Sequence, residues 1–101
     1  MKNSAFKIIV SPKAQIEIEK IVNYYSEKSE KAPLDFIISL ENSYNLLKIN
    51  PFFRIRYRNI RALKINKFPY SLFFVIEKEK SIIRVLSCFH NKRNPTKTNF
   101  L

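Results

Sequence analysis

Three apolar runs, at residues 60–65, 70–76 and 82–89, are rich in Ile, Val, Phe, Tyr and Leu, and only short polar breaks separate them. Each has strand length, and such short breaks leave room only for tight returns, so the runs predict an antiparallel meander. The chain contains no glycine. Every turn must therefore be made by Asn, Lys, Ser, Asp or Pro. The same absence excludes the Gly-rich loops that cradle nucleotide phosphates, and with them the enzymes built on such loops.

The first half reads as helical. Residues 5–10 form a short apolar run that predicts a first strand. Ser11-Pro12 follows, a side-chain cap and a residue pre-set for the first helical position. Ala14, Ile18, Ile21, Val22 and Tyr25 then recur at helical spacing, with Glu17, Glu19, Lys20 and Asn23 on the other side. Residues 26–31 are polar and end this helix. A second begins at Ala32-Pro33, with Phe36, Ile37, Leu40, Tyr44 and Leu47 as its stripe. Asn50-Pro51 stops it, Asn in a left-handed end and Pro unable to continue. The resulting order, β-α-α-β-β-β, predicts an α+β fold with a helical hairpin on one face of a mainly antiparallel sheet. The first strand joins as an edge or beside the last strand, and the other face of the sheet is expected to be free. At 101 residues the chain predicts one domain, 1–101, with a flexible tail at 94–101.

Charge divides the halves. Residues 51–101 carry twelve Lys and Arg against Glu77 and Glu79, whereas residues 1–50 carry seven Lys against six acids; the whole chain is +11. A charge so placed points to a polyanion or an acidic partner. The densest stretch holds Arg54, Arg56, Arg58, Arg61, Lys64 and Lys67 without an acid. In an extended chain Arg54, Arg56 and Arg58 project on one side, with Phe53, Ile55 and Tyr57 on the other. An edge strand charged against aggregation has the same pattern. Arginine rather than lysine favours bidentate recognition of phosphate or carboxylate.

Few residues can carry chemistry. Cys88 is the one cysteine and lies in an apolar run, which predicts a core residue. There is no metal-ligand cluster and no cofactor motif. His90 is the one histidine, and simple alternation places it on the face of Arg84, Leu86 and Cys88. A neutral imidazole there is a candidate general base on a ribose hydroxyl, with neighbouring cations stabilising a pentavalent phosphate. A lone histidine is as readily structural. Tyr70 reads as core filling, and Glu77 and Glu79 as solubilising turn residues. No apolar run approaches the ~18 residues of a membrane span, and the N-terminal run is too short for a signal peptide, so the expected location is the cytoplasm.

Four local patterns together resemble the RelE/ParE superfamily of toxins from bacterial type II toxin–antitoxin systems. They are Val10-Ser11-Pro12-Lys13-Ala14, Leu47-Lys48-Ile49-Asn50-Pro51, Arg61-Ala62-Leu63-Lys64 followed by Phe68-Pro69-Tyr70-Ser71-Leu72-Phe73-Phe74, and Val85-Leu86-Ser87-Cys88-Phe89-His90-Asn91-Lys92-Arg93-Asn94-Pro95. The last is similar to the H-x-x-R-x-P ending of ParE-like members. The resemblance implies a small basic toxin neutralised by a cognate antitoxin with an acidic, flexible C-terminal segment. RelE-like members cut messenger RNA in the ribosome; ParE-like members, among them plasmid stabilisation proteins, poison DNA gyrase.

The resemblance also sets out two groups of site residues. A RelE-like, metal-independent endoribonuclease would use His90, Lys64, Arg61, Arg84 and Arg93. A ParE-like binder would present Arg54, Arg56, Arg58, Arg61, Lys64 and Arg93 to its target or antitoxin. RelE-like sites carry an Arg where this chain has Ser71, and often a late Tyr, whereas none follows Tyr70 here. These departures favour the ParE-like reading. A non-toxic nucleic-acid-binding module is the remaining alternative, without the patterns of common DNA readers.

Overall fold

The computed structural model describes residues 5–92. In chain order these form β1 (Lys7–Val10), α1 (Pro12–Ser26), α2 (Lys31–Ile49), β2 (Ile55–Tyr57), β3 (Ile60–Lys64), β4 (Tyr70–Glu77), a single 3-10 turn (Lys78–Lys80) and β5 (Ile82–His90). The segment 94–101 and its expected flexibility lie outside the described residues.

Local chemistry sets the helix ends. The Ser11 hydroxyl accepts the Ala14 N–H, and Pro12 occupies the first turn of α1. Ser29 Oγ accepts the Ala32 N–H at the start of α2. Asn50 closes α2 in extended conformation (φ −149, ψ 96), not in the expected left-handed one. The following proline disfavours helical geometry at the residue before it, and the Asn50 side chain instead accepts the Phe52 N–H.

The sheet has five strands in the order β1-β5-β4-β3-β2. β1 is both an edge and the parallel neighbour of β5; all other pairs are antiparallel. The meander contains one strand more than the three apolar runs indicate, because β2 forms within the arginine-rich stretch and pairs with β3. Without glycine, Arg58 (φ 54), Lys67 (φ 73) and Ser81 (φ 54) take left-handed backbone at the turns.

Both helices cover one face. Ala14, Ile21, Phe36, Leu40 and Leu47 pack onto Ile65, Leu72, Phe74, Ile83, Val85 and Cys88. Each large side chain buried there contributes about 1.5–3 kcal/mol. Ile37, expected in the stripe of α2, is exposed, while Ser39 and Ser43 are buried; the Ser43 hydroxyl donates to the Ser39 carbonyl and so enters the core with its polar atom satisfied. The opposite face carries its own apolar cluster, Ile60, Phe73 and Phe89, with Tyr57, Ala62, Val75 and Leu86 against it. Phe73 and Phe89 stack at 4.4 Å.

Two bulges decide which side chains share a face. In β5, Phe73 pairs with Ser87 and Phe74 with Val85, so Leu86 is an extra residue. In β2, Ile55 pairs with Arg61 and Tyr57 with Ile60, so Arg56 is extra.

Candidate functional site

The bulge at Leu86 is held from α1. Glu17 Oε1 accepts the Cys88 backbone N–H at 2.9 Å and the Ser87 hydroxyl at 2.7 Å. Lys13 Nζ donates to Glu17 Oε2 at 2.9 Å and to Ser87 Oγ at 3.1 Å. Ser11 adds a hydroxyl bond to the Leu86 carbonyl. The buried polar groups of the bulge are thus satisfied by one carboxylate and one hydroxyl.

This bulge corrects the alternation expected for β5. Cys88 lies in the core beneath the helices, while Leu86 belongs to the opposite cluster. His90 pairs with Tyr70, and their rings meet edge to face at 5.4 Å. Tyr70 in turn touches Tyr25 and Phe36. His90 therefore shares the helix side with Cys88 and not with Arg84 and Leu86. Its Nδ1 accepts the Lys92 N–H at 3.2 Å. Burial raises the Tyr70 pKa, with Tyr24 and Cys88 adding to the shift, so the phenol stays protonated beside the imidazole. Burial, then Glu17, pushes the Cys88 thiol up to about 12, which keeps it an inert core residue, as the sequence suggested.

The remaining nuclease candidates do not converge on His90. Arg84 is six residues back along β5, roughly 20 Å away. There its Nε donates to Glu77 Oε2 at 2.8 Å. Glu77 is thus a paired strand residue rather than a solubilising turn residue. The Arg84 bond holds its carboxyl below the ordinary carboxylate value. Arg61 pairs with Phe74, on the helix side of β3, and its Nη1 donates to the Phe53 carbonyl at 2.8 Å. Lys64 pairs with Ser71, and Ser71 with Phe89, which places it at the His90 end of the sheet but on the opposite face. Its Nζ donates to the carbonyls of Ile65 and Phe68. Ser71 Oγ donates to the Asn91 side-chain carbonyl. Arg93 lies outside the described residues.

The expected arginine comb is also rearranged. The bulge at Arg56 sends Ile55 and Tyr57 to opposite faces. Left-handed Arg58 turns the chain back, its guanidinium 5.3 Å from the Tyr57 ring centre. Arg54, Arg56 and Arg58 are all exposed. They form a basic rim around the β2–β3 hairpin rather than one strand face. Among the described residues the ion pairs are Lys13–Glu17 and Arg84–Glu77, so the rim arginines lack carboxylate partners there.

The described residues contain no group of His, Cys, Asp and Glu able to hold a metal ion. No described helix is long and apolar enough to cross a membrane. Among the described residues the geometry offers a cationic rim, and His90 is not joined by Arg61, Lys64 or Arg84 in one acid–base centre.

A family model described as the ParE toxin of type II toxin–antitoxin systems, parDE, matches residues 8–95. No curated protein matches the chain. Among solved structures, a chain of a chromosomal ParDE system from P. aeruginosa superposes with a TM-score of 0.65 at 17% identity, over 87% of this chain and 98% of that one. A chain of the RelBE2 toxin–antitoxin complex from Mycobacterium tuberculosis superposes with a TM-score of 0.57 at 15% identity, over 88% and 94% respectively. At these identities the two structures establish the shared fold.

Proposed function

The chain belongs to the ParE toxin family of type II toxin–antitoxin systems, and from that premise we propose that it halts growth in the cytoplasm by binding an essential protein, with DNA gyrase as the target its ParE-like character implies. A cognate antitoxin with an acidic segment neutralises it, covering the rim formed by Arg54, Arg56, Arg58 and Arg61. Both structural neighbours come from toxin–antitoxin systems, which supports a partner of this kind.

One observation carries the choice of binding over cleavage. His90, Lys64, Arg61 and Arg84 occupy different ends or faces of the sheet, and Arg84 is already bound to Glu77. Catalytic groups act only when held close to productive geometry, and these four are not. The placement of Lys64 at the His90 end, about 10 Å away across two strand spacings, is the feature that favours the ribonuclease alternative.

The purified protein is expected to inhibit gyrase supercoiling and to leave ribosome-bound message uncut. In cells, induction should bring DNA-damage signalling and filamentation while bulk translation persists at first. Primer extension on messages from induced cells decides between the readings. New cleavage ends within codons, appearing before the damage response and lost in His90→Ala, would overturn the binding reading.

A further inference from the structure

The β2–β3 hairpin and the turn between β4 and β5 border an open recess of about 480 Å³, of which the toxin reading uses Arg61 alone. Arg61, Lys78, Lys80 and Asn59 supply its polar donors; Ile55 and Ile76 supply an apolar wall. Glu77 and Glu79 also line it, but Glu77 is neutralised by Arg84, so cations prevail.

Two of these cations converge on one aromatic ring. Arg61 lies 5.6 Å and Lys78 5.5 Å from the centre of Phe52, whose side chain is half exposed. The quadrupole of the ring attracts both cations. Arg61 is fixed further by its bond to the Phe53 carbonyl, which uses one of its five donors. Arg61, Lys78 and Lys80 outnumber Glu79, the carboxylate of the lining that has no ion pair among the described residues, and this excess of cations favours an anion. The neighbouring apolar wall, with Ile55 about half exposed, gives that anion an uncharged companion group to bury.

We propose that this recess binds an unpaired nucleotide of a single-stranded nucleic acid, with phosphate on Arg61, Lys78 and Lys80 and the base against Ile55 and Ile76. The recess is open to solvent, as a site for one nucleotide of a longer strand must be. Arginine beside exposed apolar and aromatic surface is how single strands are held without sequence preference. A duplex keeps its bases stacked away from such a wall. The site is at the far end of β5 from His90 and does not depend on which target the toxin takes.

Fluorescence anisotropy with labelled oligo-dT of about 12 nucleotides tests this. Lys78 and Lys80 are exposed in a 3-10 turn, so their replacement leaves the core intact. Lys78→Ala/Lys80→Ala should weaken binding roughly tenfold and lower the salt slope by about 1.4. Ile55→Asp should weaken oligo-dT further than it weakens duplex DNA. Lys20→Ala/Lys31→Ala, equal in charge but on the helices, should leave the affinity nearly unchanged. Equal weakening by the helix pair means diffuse attraction and overturns the proposal. So does duplex binding as tight as oligo-dT, or equal competition by free thymidine monophosphate or by polyglutamate.

Discussion

The helix side of the sheet and its hairpin rim hold polar groups by opposite means. On the helix side, Ser39, Ser43 and Ser87 are buried, and Ser43, Ser87, Lys13 and Glu17 donate or accept within a closed set of bonds. Around them pack Phe36, Leu47, Phe74 and Val85, all fully buried. At the rim, Arg54, Arg56 and Arg58 reach into solvent, and Arg61 is tied to a backbone carbonyl instead of an acid. The first region pairs Lys13 with Glu17 internally; the second leaves its arginines without carboxylate partners among the described residues. Stability should therefore reside in the first and binding in the second.

The largest expected effect tests that division at the core. Phe74 is fully buried between helices and sheet. Phe74→Ala should cost about 3–5 kcal/mol in urea unfolding, from lost transfer energy plus the cavity left behind. Arg56→Ala should stay within roughly 0.5 kcal/mol of the parent. A rim substitution as costly as the core one would break the comparison.

The next effect sharpens it from the rim. An antitoxin that binds only the folded chain should stabilise it by about 2.7 kcal/mol at 100 times its dissociation constant. Melting curves with and without the cognate antitoxin would measure this. The gain should shrink as salt rises, because the rim cations are exposed. Arg54→Ala/Arg56→Ala should reduce the gain while leaving the melting point of the free chain in place. No change of melting temperature with saturating antitoxin would remove the partner from the account.

The difference between the regions also explains what the sequence could tell. Helix and strand positions were legible because their signals are local: Ser11-Pro12 begins α1, Asn50-Pro51 ends α2, and three apolar runs became β3, β4 and β5. β2 was legible only as one alternative, a charged edge strand, since two of its three residues pair and Arg56 between them is extra. The faces of the candidate site residues were not legible either. Alternation assumes an unbroken strand, but the bulge at Leu86 is secured by Glu17, 71 residues from Cys88 in sequence. No spacing rule within residues 82–90 registers that carboxylate. His90 changed sides for this reason, and the arginine comb dissolved at Arg56 in the same way. The turns were half legible. Absence of glycine implies left-handed residues of other types, without saying that Arg58, Lys67 and Ser81 take them.

A smaller effect follows from those turns. Ser81 ends the 3-10 turn at φ 54, where a Cβ costs about 1–2 kcal/mol relative to glycine. Glycine also gives the unfolded chain more freedom, which returns about 0.4–1 kcal/mol of the difference. Ser81→Gly should thus raise stability by about 0.5 kcal/mol net. The gain should appear in urea midpoints with the oligo-dT affinity of the nearby recess unaltered. A loss of stability would mean that the Ser81 backbone is not strained.

The smallest effect concerns the ion pair nearest the rim. Arg84 bonds to Glu77 through Nε, and that bond, ahead of its charge, holds the Glu77 carboxyl below the ordinary carboxylate value. A carboxyl whose folded pKa is depressed binds its proton more readily when unfolded. The stabilisation is therefore complete above the unfolded pKa, and it is lost as pH falls through the folded one. Both side chains are about one-third exposed, and pairs so solvated contribute little. Urea midpoints measured from pH 6 to pH 3 should fall slightly more steeply for the parent than for Glu77→Gln, and the two curves should converge in acid. The substitution also removes a carboxylate from the lining of the cationic recess. Glu77→Gln should therefore tighten oligo-dT binding while costing little stability. A variant that unfolds readily at pH 6 would instead make Glu77–Arg84 part of the stable region, moving the boundary between the two regions past the end of β4.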